Sequence, residues 1–150
     1  MADAPDYIST SYQAHQRAYE AYSRDGEKAA HAAAWLEPGT INHWRFERMY
    51  RLADPLLQSF PTAEWLTVGD GRYGLDDQYL NAQGARALAT DISDTLLAEA
   101  KNDGLISDYR QENAEALSFE DDSFDFVLCK ESYHHFPRPI KALYEMIRVA

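Results

Sequence analysis

The sequence predicts an open, doubly wound parallel α/β sheet preceded by a helical segment, and three observations carry that reading. Beyond Pro61, short β-like runs alternate with stretches of helical period. Gly69-Asp70-Gly71-Arg72-Tyr73-Gly74 stands between the first of those strands and the helix after it. An acid, Asp91, closes the second strand. Before Pro61 the apolar residues recur only at helical spacing, so residues 1–60 are expected to form a helical cap and 61–150 the sheet domain.

In the first segment Tyr12, Tyr19 and Tyr22 share one helical face with alanines between them, and Phe46, Met49, Tyr50, Ala53 and Leu57 repeat the pattern. Two or three helices are expected, separated at Gly26 and Pro38-Gly39. Asp54-Pro55 offers an N-cap followed by a proline at the first helical position, where the last helix should bend or restart. In the second segment Glu64–Val68 reads as a strand, Leu75–Ala82 as a helix that Gly84 stops in the left-handed conformation, and Arg86–Thr90 as a second strand. A helix over Asp94–Asn102 closes at Gly104. Strands over Ile106–Gln111 and Phe124–Cys129 follow. After Pro139 the apolar set Ile140, Leu143, Tyr144 and Ile147 marks a last helix.

Composition narrows the partners. The 150 residues carry 14 basic and 25 acidic side chains, a net charge of −11. Nucleic-acid affinity comes from neutralising phosphates with Lys and Arg, so neither nucleic acid nor an anionic membrane is the expected partner. A small molecule is. A single cysteine, Cys129, forms no internal disulfide, the first residues lack the pattern of an export signal, and no apolar run spans a bilayer, so the cytoplasm is the expected compartment.

The glycine loop has a specific physical use. Its first glycine permits the tight turn, the second lets a ligand approach the backbone, and the third allows close packing of the helix. Asp91, at the carboxyl end of the second strand, can accept hydrogen bonds from both hydroxyls of a ribose. Its other use would be to cap the following helix. Loop and acid together imply an adenosine-type cofactor, and by themselves they suit a dinucleotide as well as S-adenosylmethionine.

The segment Asn113-Ala114-Glu115-Ala116-Leu117-Ser118-Phe119-Glu120-Asp121-Asp122-Ser123-Phe124-Asp125 separates the two. With it, residues 64–150 resemble the class I S-adenosylmethionine-dependent methyltransferases, particularly the small-molecule group. The resemblance implies a Rossmann-like sheet in the order 3-2-1-4 and S-adenosylmethionine as cofactor. It implies cofactor contacts from the loop positions Gly69, Asp70, Gly71 and Tyr73, from Asp91, from Ile92 on the adenine face, and from Asn113 and Ala114 beside the ring. Two positions depart from the family pattern: Thr67 stands where an acid is common, and Tyr73 where the third glycine more often lies. The acid here is Asp70, inside the loop, where it could meet the amino group of the methionine part.

His134 and His135 follow the fourth strand, at the carboxyl ends of the strands where open α/β sheets bind ligands. A neutral histidine there can take the proton of a hydroxyl acceptor. The alternative is a hydrogen-bonded pair that holds the loop. Adjacent histidines with Glu131 do not make a ligand spacing, so no metal is expected. Tyr7, Tyr12 and Tyr19 of the cap either exclude water from a sulfonium or simply pack.

The expected function is methyl transfer from S-adenosylmethionine to an oxygen or nitrogen of a small cytoplasmic acceptor. The competing readings are a nicotinamide-dependent oxidoreductase and a non-catalytic cofactor-binding or assembly module. The family's sheet is usually longer than four strands. The open edge of the fourth strand is therefore expected either to pair with a second copy, giving a homo-oligomer, or to continue into a longer polypeptide.

Overall fold

A computed structural model describes residues 6–24, 26, 27, 30 and 37–150. Helix α1 runs Tyr7–Arg24. It starts where the Asp6 carboxylate accepts the Ile8 and Ser9 amides at 3.4 and 3.3 Å. Gly26, expected as a break, is itself helical, and residues 25 and 28–29 around it lie outside the described residues. Helix α2, Ile41–Tyr50, follows Pro38-Gly39 and is capped by Thr40, whose hydroxyl oxygen accepts the His43 amide at 3.2 Å. Helix α3, Asp54–Ser59, restarts with proline in its first turn. Asp54 does not cap it: Ala53 holds the cap position, and the Asp54 carboxylate accepts the Tyr79 hydroxyl instead.

The sheet domain comprises β1 (Glu64–Val68), α4 (Leu75–Ala82), β2 (Arg86–Asp91), α5 (Thr95–Asn102), β3 (Tyr109–Gln111), β4 (Phe126–Leu128), a 3-10 turn at Tyr133–His135 and α6 (Pro139–Val149). All pairings are parallel and the order is β3-β2-β1-β4. Gly84 and Gly104 close α4 and α5 with φ of +86° and +73°, conformations that glycine adopts without a Cβ penalty.

Both outer strands are shorter than the apolar runs suggest. Ile106 is buried, but as a plug against Leu97 and Ala100 rather than as a ladder residue. The Phe124 amide donates to the Val149 carbonyl at the end of α6, which takes it out of the ladder.

Alternation along β1 builds the two layers. Leu66 and Val68 face α6 and pack with Ala114, Leu117, Ala142, Met146 and Val149. Trp65 points the other way, to Leu57 of α3, Leu80 of α4, and Ala53 and Ala63 in the segments just before α3 and β1. With helices on both faces the sheet is doubly wound. The last helix corrects one expectation: Ala142, Met146 and Val149 are its buried face, whereas Ile140, Leu143, Tyr144 and Ile147 are exposed. That face packs on Leu66 and Val68 of β1.

Candidate active site

The carboxyl ends of β1, β2 and β4 converge on a cleft whose empty space, counting the part open to solvent, is about 460 Å³. Gly69, Asp91, Ile92, Asn113, Ala114 and His135 line it. A second cleft, of about 770 Å³ and open to solvent, continues past Gly69, with Asp70, Arg72, Lys130, His134 and His135 among its walls. Gly69, Ser132, His135 and His15 line both, so they mark the junction.

The loop geometry explains its glycines. Gly69 has φ +77°, and a Cβ there would lie 2.3 Å from the Ser132 side chain. That serine crosses behind the loop and donates its hydroxyl to the Val68 carbonyl at 3.0 Å. A Cβ on Gly71 would lie 2.6 Å from the Asp91 carboxyl carbon and 2.8 Å from the Tyr19 ring. One on Gly74 would press into Ile106 at 2.8 Å. Tyr73 takes φ +58°, a left-handed turn at the position where the resembling family more often has glycine. This turn carries its ring away from both clefts to the Ala89, Leu97, Ala100 and Ile106 cluster.

Asp70 also turns inward. Its carboxylate accepts the Asp76 and Asp77 amides at 3.0 and 2.9 Å and the Thr67 hydroxyl at 2.8 Å. It therefore caps the start of α4 from inside the loop, and burial, with Asp76 nearby, holds it well above the usual carboxylate range. Thr67, in the position where the family has an acid, is the donor that completes this arrangement.

Asp91 does two things. Its oxygens accept the Ser93 amide at 2.9 Å and the Gly71 amide at 3.0 Å, so it ties the loop to β2. A carboxylate has about four lone-pair sites, which leaves acceptor capacity toward the cleft. Burial pushes it up to about 6, against the lowering effect of those amides. Asn113 makes a turn by accepting the Glu115 amide at 2.9 Å, and the buried Glu115 binds both the backbone amide and the guanidinium of Arg138. Glu115 thus pins the loop after the histidines to the Asn113-Ala114 segment.

The rings of His134 and His135 touch at a tilt of 42°, with centroids 4.0 Å apart, in the 3-10 turn. His135 reaches the junction, whereas His134 lines only the second cleft. Burial, then His134, His15 and Arg72, hold His135 below its ordinary value, which leaves it neutral at neutral pH. Among the described residues no group of three His, Cys, Asp or Glu side chains is placed to hold a metal. Burial raises the Cys129 thiol, which suits an inert side chain. No helix among them is long and apolar enough to cross a membrane.

Ser11, His15 and Lys130 carried no signal of a site in the sequence, and of the three cap tyrosines read there Tyr12 and Tyr19 reach the clefts. Ser11, Tyr12 and His15 of α1 line the first cleft, with Tyr19 in the second, whereas Tyr7 is exposed. Lys130 is held at the floor of the second cleft by Asp76 at 3.1 Å, with the Phe46 and Tyr50 rings 4.2 and 4.6 Å from its ammonium. Tyr50 also donates to Asp76 at 2.8 Å. Helical spacing exposed the stripes on α1 and α2; only their docking shows what those stripes cover.

Comparison with known proteins places this site in context. Residues 66–150 match the family described as a methyltransferase domain. Over 134 residues the chain is 37% identical to a ubiquinone biosynthesis O-methyltransferase of Methylococcus capsulatus, an alignment covering 81% of this chain and 54% of that protein. It is 30% identical over 124 residues to a ubiquinone/menaquinone biosynthesis C-methyltransferase of Bartonella quintana, covering 77% of this chain and 40% of the relative. The chain thus spans about half the length of the curated relatives it matches. The solved structure of the YcgJ protein from Bacillus subtilis superposes with a TM-score of 0.53 at 25% identity, over 64% of this chain and 44% of that one.

Proposed function

The chain belongs to the class I S-adenosylmethionine-dependent methyltransferase family, and from that premise we propose that it transfers a methyl group to a hydroxyl oxygen, or a nitrogen, of a small molecule held in the second cleft. The observation that carries the proposal is the junction at Gly69, Ser132 and His135, where the two clefts meet.

The residues present fit the cofactor. The glycine positions leave backbone where a Cβ would collide, Asp91 retains acceptor capacity toward a pair of ribose hydroxyls, and the first cleft pairs that carboxylate with apolar walls from Val68, Ile92, Ala114 and Phe136. Bound S-adenosylmethionine supplies an electrophilic methyl group on sulfur, open to in-line displacement by an acceptor lone pair. In this reading Ile92 packs on the adenine and Asn113-Ala114 border it. His135 takes the acceptor's proton on its neutral imidazole, with the His134 ring tilted against it. Residues 1–60 act as a cap over residues 61–150, with Tyr12 and Tyr19 keeping water from the sulfur. Alignment of acceptor, methyl and sulfur supplies most of the acceleration, and the base adds about 10² to 10⁴.

Calorimetry with S-adenosylhomocysteine and with NAD, followed by transfer of labelled methyl from S-adenosylmethionine to a panel of catechols and amines, tests this. Binding of S-adenosylhomocysteine alone, with label moving to an acceptor, is the expected result. Binding of NAD, or cofactor binding with no transfer to any acceptor, would favour the oxidoreductase or the non-catalytic module instead.

A further inference from the structure

We propose that His15 is a second ribose-binding residue, completing from helix α1 the hydroxyl-binding set that Asp91 begins from the sheet. The inference rests on the cofactor reading above and adds to it a residue from the cap.

The geometry is specific. His15 Nε2 lies 3.9 Å from Asp91 Oδ1, too far for a hydrogen bond between them. A hydroxyl placed beside the two atoms, within hydrogen-bond reach of each, can donate to the carboxylate and accept from the imidazole N–H. Asp91 cannot supply that second contact, because a carboxylate only accepts. His15 is the α1 residue that lines both clefts. Its side chain is 27% exposed, so it is set into the site rather than displayed on the helix.

Its neighbours hold the ring in place: Tyr19, one turn on, at 4.8 Å between centroids, and His135, from the loop after β4, at 5.7 Å. Burial holds its protonation below the ordinary histidine range, so at neutral pH it faces Asp91 as a neutral imidazole with one donor and one acceptor. No charge pair then locks the two residues together, and both keep their polar atoms available to a bridging hydroxyl. Tyr19 in turn lies over Gly71, whose amide already holds the other carboxylate oxygen. One face of α1 therefore addresses the same acid that organises the glycine loop.

Calorimetry with the whole chain separates the possibilities, using S-adenosylhomocysteine and its 2′,3′-dideoxy analogue as probes. His15→Ala is expected to weaken S-adenosylhomocysteine about tenfold, the effect of one good hydrogen bond, and to leave the dideoxy analogue unchanged. His15→Gln, which keeps an N–H donor on a side chain of similar reach, should restore part of the loss. It also serves as the informative variant where alanine loosens α1. Equal loss of both ligands would reduce His15 to packing, and unchanged binding of S-adenosylhomocysteine by both variants would remove it from the site. Failure of the parent chain itself to bind S-adenosylhomocysteine would overturn the cofactor reading first, and this assignment with it.

Discussion

Ser132 occupies the space that a side chain at Gly69 would need: a Cβ on the glycine would stand 2.3 Å from both the Cβ and the Oγ of the serine. The two residues come from the loops after β1 and β4, and the serine hydroxyl reaches across to the Val68 carbonyl. The first glycine of the loop is thus required by protein packing as well as by its φ of +77°.

Gly69→Ala should therefore cost about 2 to 4 kcal/mol, combining overpacking with a left-handed alanine. Adding Ser132→Gly should recover the packing part and leave the backbone part. Urea unfolding of the two single variants and the double variant measures this coupling; additive losses would show that the contact is not what constrains the position.

Asp70→Ala should destabilise the chain by about 3 kcal/mol or more, since two buried amides at the start of α4 and the Thr67 hydroxyl lose their acceptor. Asp70→Asn keeps an acceptor oxygen and should cost much less. If the cofactor's amino group were the main partner of Asp70, both variants would weaken S-adenosylhomocysteine binding while leaving the urea midpoint in place.

Asp91→Ala should lower the affinity for S-adenosylhomocysteine by at least about 100-fold, through loss of hydrogen bonds of about 1.5 to 3 kcal/mol each to a charged acceptor. In the parent chain the acid sits at about 6. Ribose hydroxyls favour its ionised form, so affinity should rise as pH increases through 6 and level off above it. Calorimetry between pH 5 and 8 checks the slope, and a flat profile would count against Asp91 as the ribose acceptor.

Asp77 provides a pH dependence of stability. One of its carboxylate oxygens is buried without a hydrogen-bond partner, and burial, the dominant cause, pushes the group up to about 7. The folded chain therefore holds a proton that the unfolded chain releases near 3.8. Stability from this group is complete below about 4 and is lost as pH rises toward 7. Asp77→Asn should remove that slope and be the more stable chain at pH 8, by on the order of 2 kcal/mol after discounting the part that water screens. Thermal unfolding at pH 5 and pH 8 decides it, and identical slopes in the two chains would contradict the assignment.

The order of the sheet came from the family resemblance, whereas the bounds of β1 and α4 and the turns at Gly84 and Gly104 were legible in the residues themselves. They depend on periodicity and on backbone conformations that single residues dictate locally. The adenosine-type reading was legible for a related reason: a glycine loop between strand and helix, with an acid closing the next strand, leaves few other uses. Which partner each group meets was decided only in three dimensions. Asp70 turns to the amides of α4 because Thr67 faces it from β1. α6 buries Ala142, Met146 and Val149 because the surface of β1 selects among its apolar faces. His15 meets Asp91 only because α1 packs across the end of β2. Periodicity shows that a helix has a face to cover; the choice of what covers it is a non-local competition among surfaces, settled only when the layers pack.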